Sequence, residues 1–244
     1  MKASLLRALA AVVLCSTSLT AAEPAGKTRL FILSGQSNMK HLIPEESFTP
    51  AIKAAFPSDD IIVVKLAHSG QPIRRWYRDW APKSGEIPKG TPVADIYEKL
   101  LQEVNNALQG KPKPDSVTFA WMQGEADTHV EDTYAVYEDS LRGLIGQLRD
   151  DLSRPDTTVV IGRISDYAEF PEGSKAVREA EMAATKSDPL AAWIDTDDLN
   201  GKSNGLHYTP EGYKLLGQRF AEKAVELISK QNPPGLSSPQ VQNR

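Results

Sequence analysis

Cysteine is almost absent from this sequence, since Cys15 is the only one in 244 residues. Cys15 lies in an N-terminal segment that we expect to be cleaved off, so the mature chain would have no thiol. This excludes disulfides, thiolate metal sites and cysteine nucleophiles. Basic charge is also scarce, because 32 Asp and Glu outnumber 28 Lys and Arg. Nucleic-acid binders usually show a basic excess, so we expect no nucleic-acid partner.

Long apolar runs are missing as well. No segment reaches the roughly 18 apolar residues of a membrane-spanning helix, so we expect no membrane span in the mature protein. The apolar run at Leu9–Leu14 is much shorter, and it follows Lys2 and Arg7 and precedes small residues at Thr20–Ala22. This pattern predicts a secretory signal peptide at residues 1–22 and a secreted or periplasmic protein. An N-terminal buried helix is the alternative.

Five short apolar runs are spaced along the rest of the chain. Each is rich in β-branched, aromatic or small apolar residues, and each ends close to a turn-forming or polar residue. Buried strands of a parallel sheet have this composition. The runs are Leu30–Leu33, Ile61–Leu66, Val117–Met122, Val159–Ile161 and Ala191–Ile194.

Helical periods lie between and after these runs, with apolar residues at three- and four-residue steps over 93–108, 134–152 and 213–227. The pairs Thr91–Pro92 and Thr209–Pro210 have the residue types of an N-cap followed by the first helical position. Strands alternating with helices predict an α/β fold, a three-layer α/β/α sandwich around a central, mostly parallel five-stranded sheet. We expect one domain over residues 23–230. The proline-containing segment 231–244 is predicted to be a disordered tail.

Polar residues suited to catalysis follow three of the predicted strands. Ser37 comes directly after the first strand, Gln123 and Glu125 follow the third, and His207 lies between the fifth strand and the last helix. Ligands of parallel sheets bind at the carboxyl ends of the strands, so these side chains can meet there. A serine hydroxyl needs a base such as histidine to become a nucleophile. Taken singly, each residue is more often a helix cap, a loop residue or a packing histidine.

Together these residues belong to motifs that resemble the SGNH/GDSL hydrolase superfamily, and most closely its sialate O-acetylesterase-like (SASA) group and related carbohydrate acetylesterases. The motifs are GQSNM at 35–39, HSGQPIRRW at 68–76, WMQGE at 121–125 and NGLHYTPEGY at 204–213. The resemblance implies the flavodoxin-like fold of SGNH hydrolases. It also implies a secreted serine esterase that removes O-acetyl groups from a carbohydrate through an acetyl-serine intermediate, with no cofactor and no metal. Acetylated sialic acid and acetylated plant or microbial polysaccharide both fit as the substrate.

The same resemblance assigns catalytic roles. Ser37 would be the nucleophile and His207 the general base. The backbone N–H groups of Ser37 and Gly70 and the side-chain amide of Gln123 would form the oxyanion hole, with Glu125 in a supporting role. These roles fit the chemistry, because an acyl-transfer transition state places negative charge on the carbonyl oxygen. Each preorganised donor is worth about 3–4 kcal/mol there.

One position departs from the family pattern. The family usually has an aspartate three residues before the histidine, where this sequence has Asn204. Asn204 can orient His207 as a neutral hydrogen-bond acceptor, which predicts a slower esterase. Alternatively a nearby acid replaces the missing aspartate, or the chain is a weakened or inactive carbohydrate-binding protein. The candidate acids are Glu125, Asp195, Asp197 and Asp198.

Three residues of the long segment after the second strand are candidates for substrate binding. Trp76 can stack on a sugar ring, and Arg74 or Arg75 can meet an acidic sugar. The alternative is a solvated loop with one packed indole. Both readings are open from the sequence, because the segment begins beside the proposed oxyanion glycine.

Overall fold

Five parallel strands form one sheet in a computed structural model that describes residues 26–231. The predicted signal peptide and nearly all of the predicted tail lie outside the described residues. The strands occur in the spatial order β2-β1-β3-β4-β5. They are β1 (Thr28–Gly35), β2 (Asp60–Ala67), β3 (Ser116–Met122), β4 (Thr158–Gly162) and β5 (Ala191–Ile194).

The order of the strands reverses between β1 and β3. The chain places β2 on one side of β1 and then adds β3, β4 and β5 on the other side. A reversal of this kind opens a crevice beyond the carboxyl ends of the strands. The register brings three strand ends level there, because Gly35 pairs with Ala67 on one side and with Met122 on the other. The segments that follow these three residues therefore start side by side.

Seven helices accompany the sheet within the described part of the chain. They are α1 (Ser37–His41), α2 (Phe48–Ala55), α3 (Asp95–Leu108), α4 (Glu131–Tyr134), α5 (Tyr137–Asp151), α6 (Pro171–Lys186) and α7 (Pro210–Gln231). None of these helices combines the length and the apolar character that a membrane crossing requires.

Adjacent residues of β3 face opposite layers of helices. The indole nitrogen of Trp121 lies 3.4 Å from the hydroxyl of Tyr137 in α5. On the other face, a Cβ atom added to Gly162 would lie 2.5 Å from the Met122 sulfur and 2.9 Å from the ring of Phe220 in α7. Alternation of this kind is the period-2 pattern of a strand buried on both sides. The predicted three-layer α/β/α sandwich with five strands is confirmed, and every strand pair is parallel.

Two of the predicted helix boundaries are wrong. Helix α3 begins at Asp95 rather than at Pro92, because Ala94 adopts a left-handed conformation with φ 55°. The Ala94 N–H donates to the carbonyl of Arg74, 2.8 Å away, so a distant segment fixes this entry into the helix. The period over 134–152 belongs to the end of α4 and to α5, with a break before Tyr137.

The last predicted cap is confirmed. Thr209 precedes Pro210, the first residue of α7, and its hydroxyl oxygen accepts a 2.9 Å hydrogen bond from the Gly212 N–H. This bond satisfies one of the free N–H groups at the start of the helix. Because His207 lies two residues before the cap, the cap also fixes where the histidine-bearing loop ends.

Replacing Gly35 should destabilise the protein. Gly35 has φ 147°, and a Cβ atom there would lie 1.9 Å from the Met122 carbonyl oxygen. We expect Gly35→Ala to lower the free energy of unfolding by at least about 1–3 kcal/mol in urea titrations. Gly146→Ala is the matched control, because a Cβ atom at Gly146 of α5 would meet no atom within 4 Å. Equal stability of the two variants would contradict this account of the β1–β3 contact.

Candidate active site

Ser37 is the first residue of α1, directly beyond the end of β1. The backbone N–H of Gln36 donates to the carbonyl of Met122, 2.9 Å away, so the turn that carries Ser37 rests on the end of β3. Ser37 is 5% exposed. Ser37 is therefore almost completely buried, and it lies on the wall of the cavity described next.

A cavity of about 300 Å³ lies beyond the carboxyl ends of the strands. Four of the predicted site residues line it together: Ser37, Gly70, Glu125 and His207. They come from four segments of the chain, which the strand order and register bring to one edge of the sheet. The remaining wall is largely apolar and aromatic, and it includes Ile164, Tyr167, Phe170 and Leu206.

Gly70 lies in a turn with φ 66°, in the left-handed region that favours glycine. No atom lies within 4 Å of the position where a Cβ atom would be. The glycine is therefore suited to the backbone conformation rather than needed to avoid a clash. Together with Ser69 it forms the part of the cavity wall that follows β2.

Asn204 does not line the cavity. It is exposed, it has φ 44° and ψ 45°, and its side-chain oxygen accepts a 2.7 Å hydrogen bond from the amide of Asn200. Asn200 itself is buried and also donates to the carbonyl of Gly205. The side chain of Asn204 thus holds its own turn together.

Three of the four candidate acids are paired with arginines. Arg163 donates to both Asp195 and Asp197 at 2.7 Å. Arg219 binds Asp198 through two hydrogen bonds of 2.6 and 2.7 Å. None of the three aspartates lines the cavity, whereas Glu125 does. Among residues 26–231, no group of His, Cys, Asp and Glu side chains has the arrangement of a metal site.

Glu125 is a half-buried acid on the cavity wall. One of its carboxyl oxygens accepts a 2.7 Å hydrogen bond from the Asn38 amide, and the other is buried without a partner among the described residues. Burial raises the pKa of the Glu125 carboxyl, while the bond from Asn38 acts in the opposite direction. Acids in a cleft whose pKa is raised by burial are often part of functional sites.

Gln123 is completely buried and does not line the cavity. Its amide nitrogen lies within hydrogen-bonding distance of Gln36 Oε1 (3.3 Å), the Gln71 carbonyl (3.1 Å) and Asp127 Oδ2 (2.6 Å). Its amide oxygen accepts a bond from the Tyr137 hydroxyl at 3.1 Å. The side chain links the loops beneath the cavity. To act as an oxyanion donor, the amide would have to give up one of these bonds.

The substrate-binding candidates after β2 serve the core and their own loop. Trp76 is completely buried, donates from its indole nitrogen to the Ser34 hydroxyl at 2.9 Å, and packs edge-on against Trp121. The indole therefore has no face open to a sugar in this structure. Arg75 binds Asp95 and the Gln71 side chain. None of the three candidates, Arg74, Arg75 and Trp76, lines the cavity.

Sequence reasoning missed several residues that organise the site. Asp127 is completely buried, and its Oδ2 accepts hydrogen bonds from the Ile73 N–H (2.9 Å) and from Gln123. The only available signal was its place two residues after Glu125, which is weak for an acidic loop residue. Asn38 and Tyr213 were also missed, although both lie inside the motifs at 35–39 and 204–213. Their contacts join segments far apart in the chain, so no local pattern reveals them.

The Asp127 carboxyl should make the stability of the protein depend on pH. Burial raises its pKa from 3.8 to about 7. An acid with a raised pKa binds more protons in the folded state, so stability falls as the pH rises from about 4 to about 7. We expect Asp127→Asn to remove part of this fall in urea titrations at pH 5 and pH 7.5. The control is Asp139→Asn on exposed α5 surface. An unchanged pH dependence in Asp127→Asn would contradict the assignment.

The chain resembles known carbohydrate esterases in sequence and in fold. Residues 40–226 match the family described as SASA, carbohydrate esterase, sialic acid-specific acetylesterase. A probable carbohydrate esterase of Arabidopsis thaliana is 24% identical over 73% of this chain, and the match spans only 62% of that relative. The X-ray structure of the Arabidopsis protein superposes with a TM-score of 0.64 at 22% identity, covering 82% of this chain and 98% of that one.

Two further solved structures share the fold. The crystal structure of NanS gives a TM-score of 0.60 at 14% identity, covering 84% of this chain and 99% of that chain. A carbohydrate acetylesterase from Xanthomonas citri gives a TM-score of 0.62 at 14% identity, covering 82% of this chain and 57% of that chain. The likeness to these structures concerns the fold. Because the family match extends over most of the sequence, the chain belongs to the SASA family of carbohydrate esterases.

Proposed function

We propose that the protein is a serine esterase that removes O-acetyl groups from a carbohydrate. The observation that carries this proposal is the cavity that Ser37, Gly70 and His207 line together. Membership of a carbohydrate esterase family supports the same reaction class. The secreted or periplasmic location rests on the leader-like pattern at residues 1–22, which lies outside the described residues.

In the proposed reaction the Ser37 hydroxyl attacks the acetyl carbonyl while His207 takes its proton. The tetrahedral intermediate collapses with cleavage of the bond between the carbonyl carbon and the sugar oxygen, His207 gives its proton to that oxygen so that it leaves as a hydroxyl, and an acetyl-serine remains. Water activated by His207 then releases acetate. The N–H groups of Ser37 and Gly70 are the proposed donors to the oxyanion, with Gln123 as a third donor if its present bonds rearrange.

A carbohydrate-binding protein with little or no turnover is the second candidate. The observation that favours it is the bond between Asn204 and Asn200, because His207 lacks the aspartate that the family usually places there. Binding alone, however, does not need a serine, a histidine and a glycine turn on one cavity wall.

Acetate release from an activated acetyl ester tests the reaction. We expect activity in the parent protein and a loss of about 10⁴-fold or more in kcat for Ser37→Ala, because the nucleophile is removed. Ser84→Ala, at an exposed serine, is the matched control and should remain as active as the parent. Asn204→Asp should change activity by less than tenfold, because this side chain is bonded to Asn200 and does not line the cavity.

Two other outcomes of this assay would contradict these expectations. If the parent and Asn204→Asp release no more acetate than Ser37→Ala, the esterase proposal is wrong for simple acetyl esters and carbohydrate binding becomes the better account. A large gain in Asn204→Asp would instead mean that position 204 belongs to the catalytic triad and that this chain carries a weakened form.

The charge of the cavity favours an uncharged acetylated sugar over acetylated sialic acid. Glu125 and Glu169 line the cavity, and within residues 26–231 no lysine or arginine does. The carboxylate of sialic acid would enter this space close to Glu169 and without a lysine or arginine among the described residues to pair with it. An acetylated neutral polysaccharide avoids that repulsion, so we propose it as the substrate class.

Parallel assays on acetylated xylo-oligosaccharides and O-acetylated sialic acid test this choice. We expect a higher kcat/KM for the neutral sugar, and Glu169→Gln should raise kcat/KM for sialic acid by up to about fivefold, since a solvated charge contact is worth about 1 kcal/mol. The exposed Glu222→Gln on α7 serves as the charge-matched control. A preference for sialic acid that survives in Glu169→Gln would overturn the proposal.

A further inference from the structure

His207 lacks an acidic partner in the position that the family pattern provides. Asn204 is bonded to Asn200, and Asp195, Asp197 and Asp198 are bonded to arginines. Yet His207 is exposed, and a general base must be held within hydrogen-bonding reach of its nucleophile. Some other contact has to fix the loop that carries it.

The backbone is held on both sides of His207. The carbonyl of Leu206 accepts a 3.1 Å hydrogen bond from the side-chain amide of Asn38. The N–H of Tyr208 donates to the hydroxyl oxygen of Tyr213, 3.3 Å away. Tyr213 in turn lies 3.1 Å from the side-chain oxygen of Asn38. We call these two side chains, with their bonds to residues 206 and 208, the Asn38–Tyr213 bracket.

The number of hydrogens on each side chain decides which group donates in each hydrogen bond of the bracket. The Asn38 amide nitrogen has two hydrogens, which go to Glu125 and to the Leu206 carbonyl. If the Asn38 amide were flipped, its oxygen would face two acceptors, the Glu125 carboxyl oxygen and the Leu206 carbonyl. The amide oxygen therefore faces the Tyr213 hydroxyl. Tyr213 therefore donates its single hydrogen to Asn38, and its oxygen accepts from the Tyr208 N–H.

His41 completes the arrangement. Its Nδ1 lies 3.0 Å from the Tyr213 hydroxyl oxygen, whose hydrogen is already used, so Nδ1 is the donor in this contact. The His41 ring packs edge-to-face against the His207 ring, with centroids 5.3 Å apart. His41 thereby supports one side of the imidazole whose backbone the bracket holds.

The bracket also ties the base to the nucleophile. Asn38 is the neighbour of Ser37 in α1, and its bond to Leu206 spans 168 residues of sequence. Its other hydrogen anchors it to Glu125 on the cavity wall. A shift of the histidine loop relative to Ser37 would therefore break a buried hydrogen bond, which costs about 1–3 kcal/mol for an unsatisfied group.

We propose that Asn38 and Tyr213 are positioning residues that hold His207 against Ser37, with His41 supporting the imidazole ring, in place of the aspartate that this chain lacks. The proposal rests on the proposed esterase function and adds the device that orients its base. Small displacements of catalytic groups cost about 10²-fold in rate, so loss of the bracket should be visible in kcat.

Tyr213→Phe is the main test, because it removes one hydroxyl and keeps the ring. We expect kcat for an activated acetyl ester to fall about 10- to 100-fold with KM within threefold. Tyr134→Phe, a helix tyrosine that does not line the cavity, is the matched control and should keep the parent kcat. Asn38→Ala should cost at least as much, and the double variant should lose little more than Asn38→Ala alone, because both changes break one unit.

A second readout separates this inference from the esterase proposal. We expect the ring NMR signals of His207, recorded at a single pH, to move in Tyr213→Phe because the loop that carries the ring is released, and to keep their parent positions in Tyr134→Phe. If the parent proves inactive and this difference is present, the esterase proposal fails and the positioning role stands. If Tyr213→Phe keeps its kcat within twofold, or in an inactive parent leaves the ring NMR signals of His207 unchanged, the positioning role is wrong. Should Asn38→Ala not fold, Tyr213→Phe decides alone.

Discussion

The site depends on the hydrogen bonds of one side chain, Asn38, which joins three distant parts of the chain. Its amide reaches Glu125 after β3 and Leu206 before α7, and its oxygen accepts from Tyr213 inside α7. Asn38 itself is 1% exposed. Groups buried to this degree must find partners within the protein, because an unsatisfied one costs about 1–3 kcal/mol. The hydrogen bonds that the buried Asn38 side chain requires therefore also fix the distance between the turn that carries Ser37 and the loop that carries His207.

Three acidic side chains close to this bond have buried carboxyl oxygens. Asp127 and Glu181 are buried and Glu125 is half-buried, and each has one carboxyl oxygen without a partner among residues 26–231. Burial raises the pKa of all three. Groups of this kind usually lower stability, and their concentration beside a cavity is typical of a functional site. Asp127 binds the loops after β2 and β3 through Ile73 and Gln123, and Glu181 binds the loop after β4 through Ile164.

The sequence predicted the sheet well because short apolar runs carry their own evidence of burial, and it placed the cap at Thr209 correctly. It failed where a distant contact decides the local structure. Ala94 is left-handed, with its N–H bonded to the carbonyl of Arg74, where the sequence predicted helix from Pro92. At Trp76 the sequence left a sugar-stacking indole and a packed indole both open, and in the structure the indole is buried and bonded to Ser34 of β1. The cavity wall residues Ser37 and His207 lie within recognisable motifs. The partners of Asn38 are separated from it by up to 175 residues, beyond what periodicity or a short motif can reveal.

A serine esterase with Ser37 as its nucleophile carries an acetyl group on Ser37 during turnover. The most direct measurement is mass spectrometry of the protein mixed with an activated acetyl ester and quenched in acid within the first turnovers, followed by proteolysis to locate the label. The account predicts one acetyl group on the peptide that contains Ser37, absent in Ser37→Ala and accumulating in Tyr213→Phe only at a reduced rate. Acetyl groups found on other residues and equally abundant in Ser37→Ala, with none on Ser37 of the parent, would contradict it.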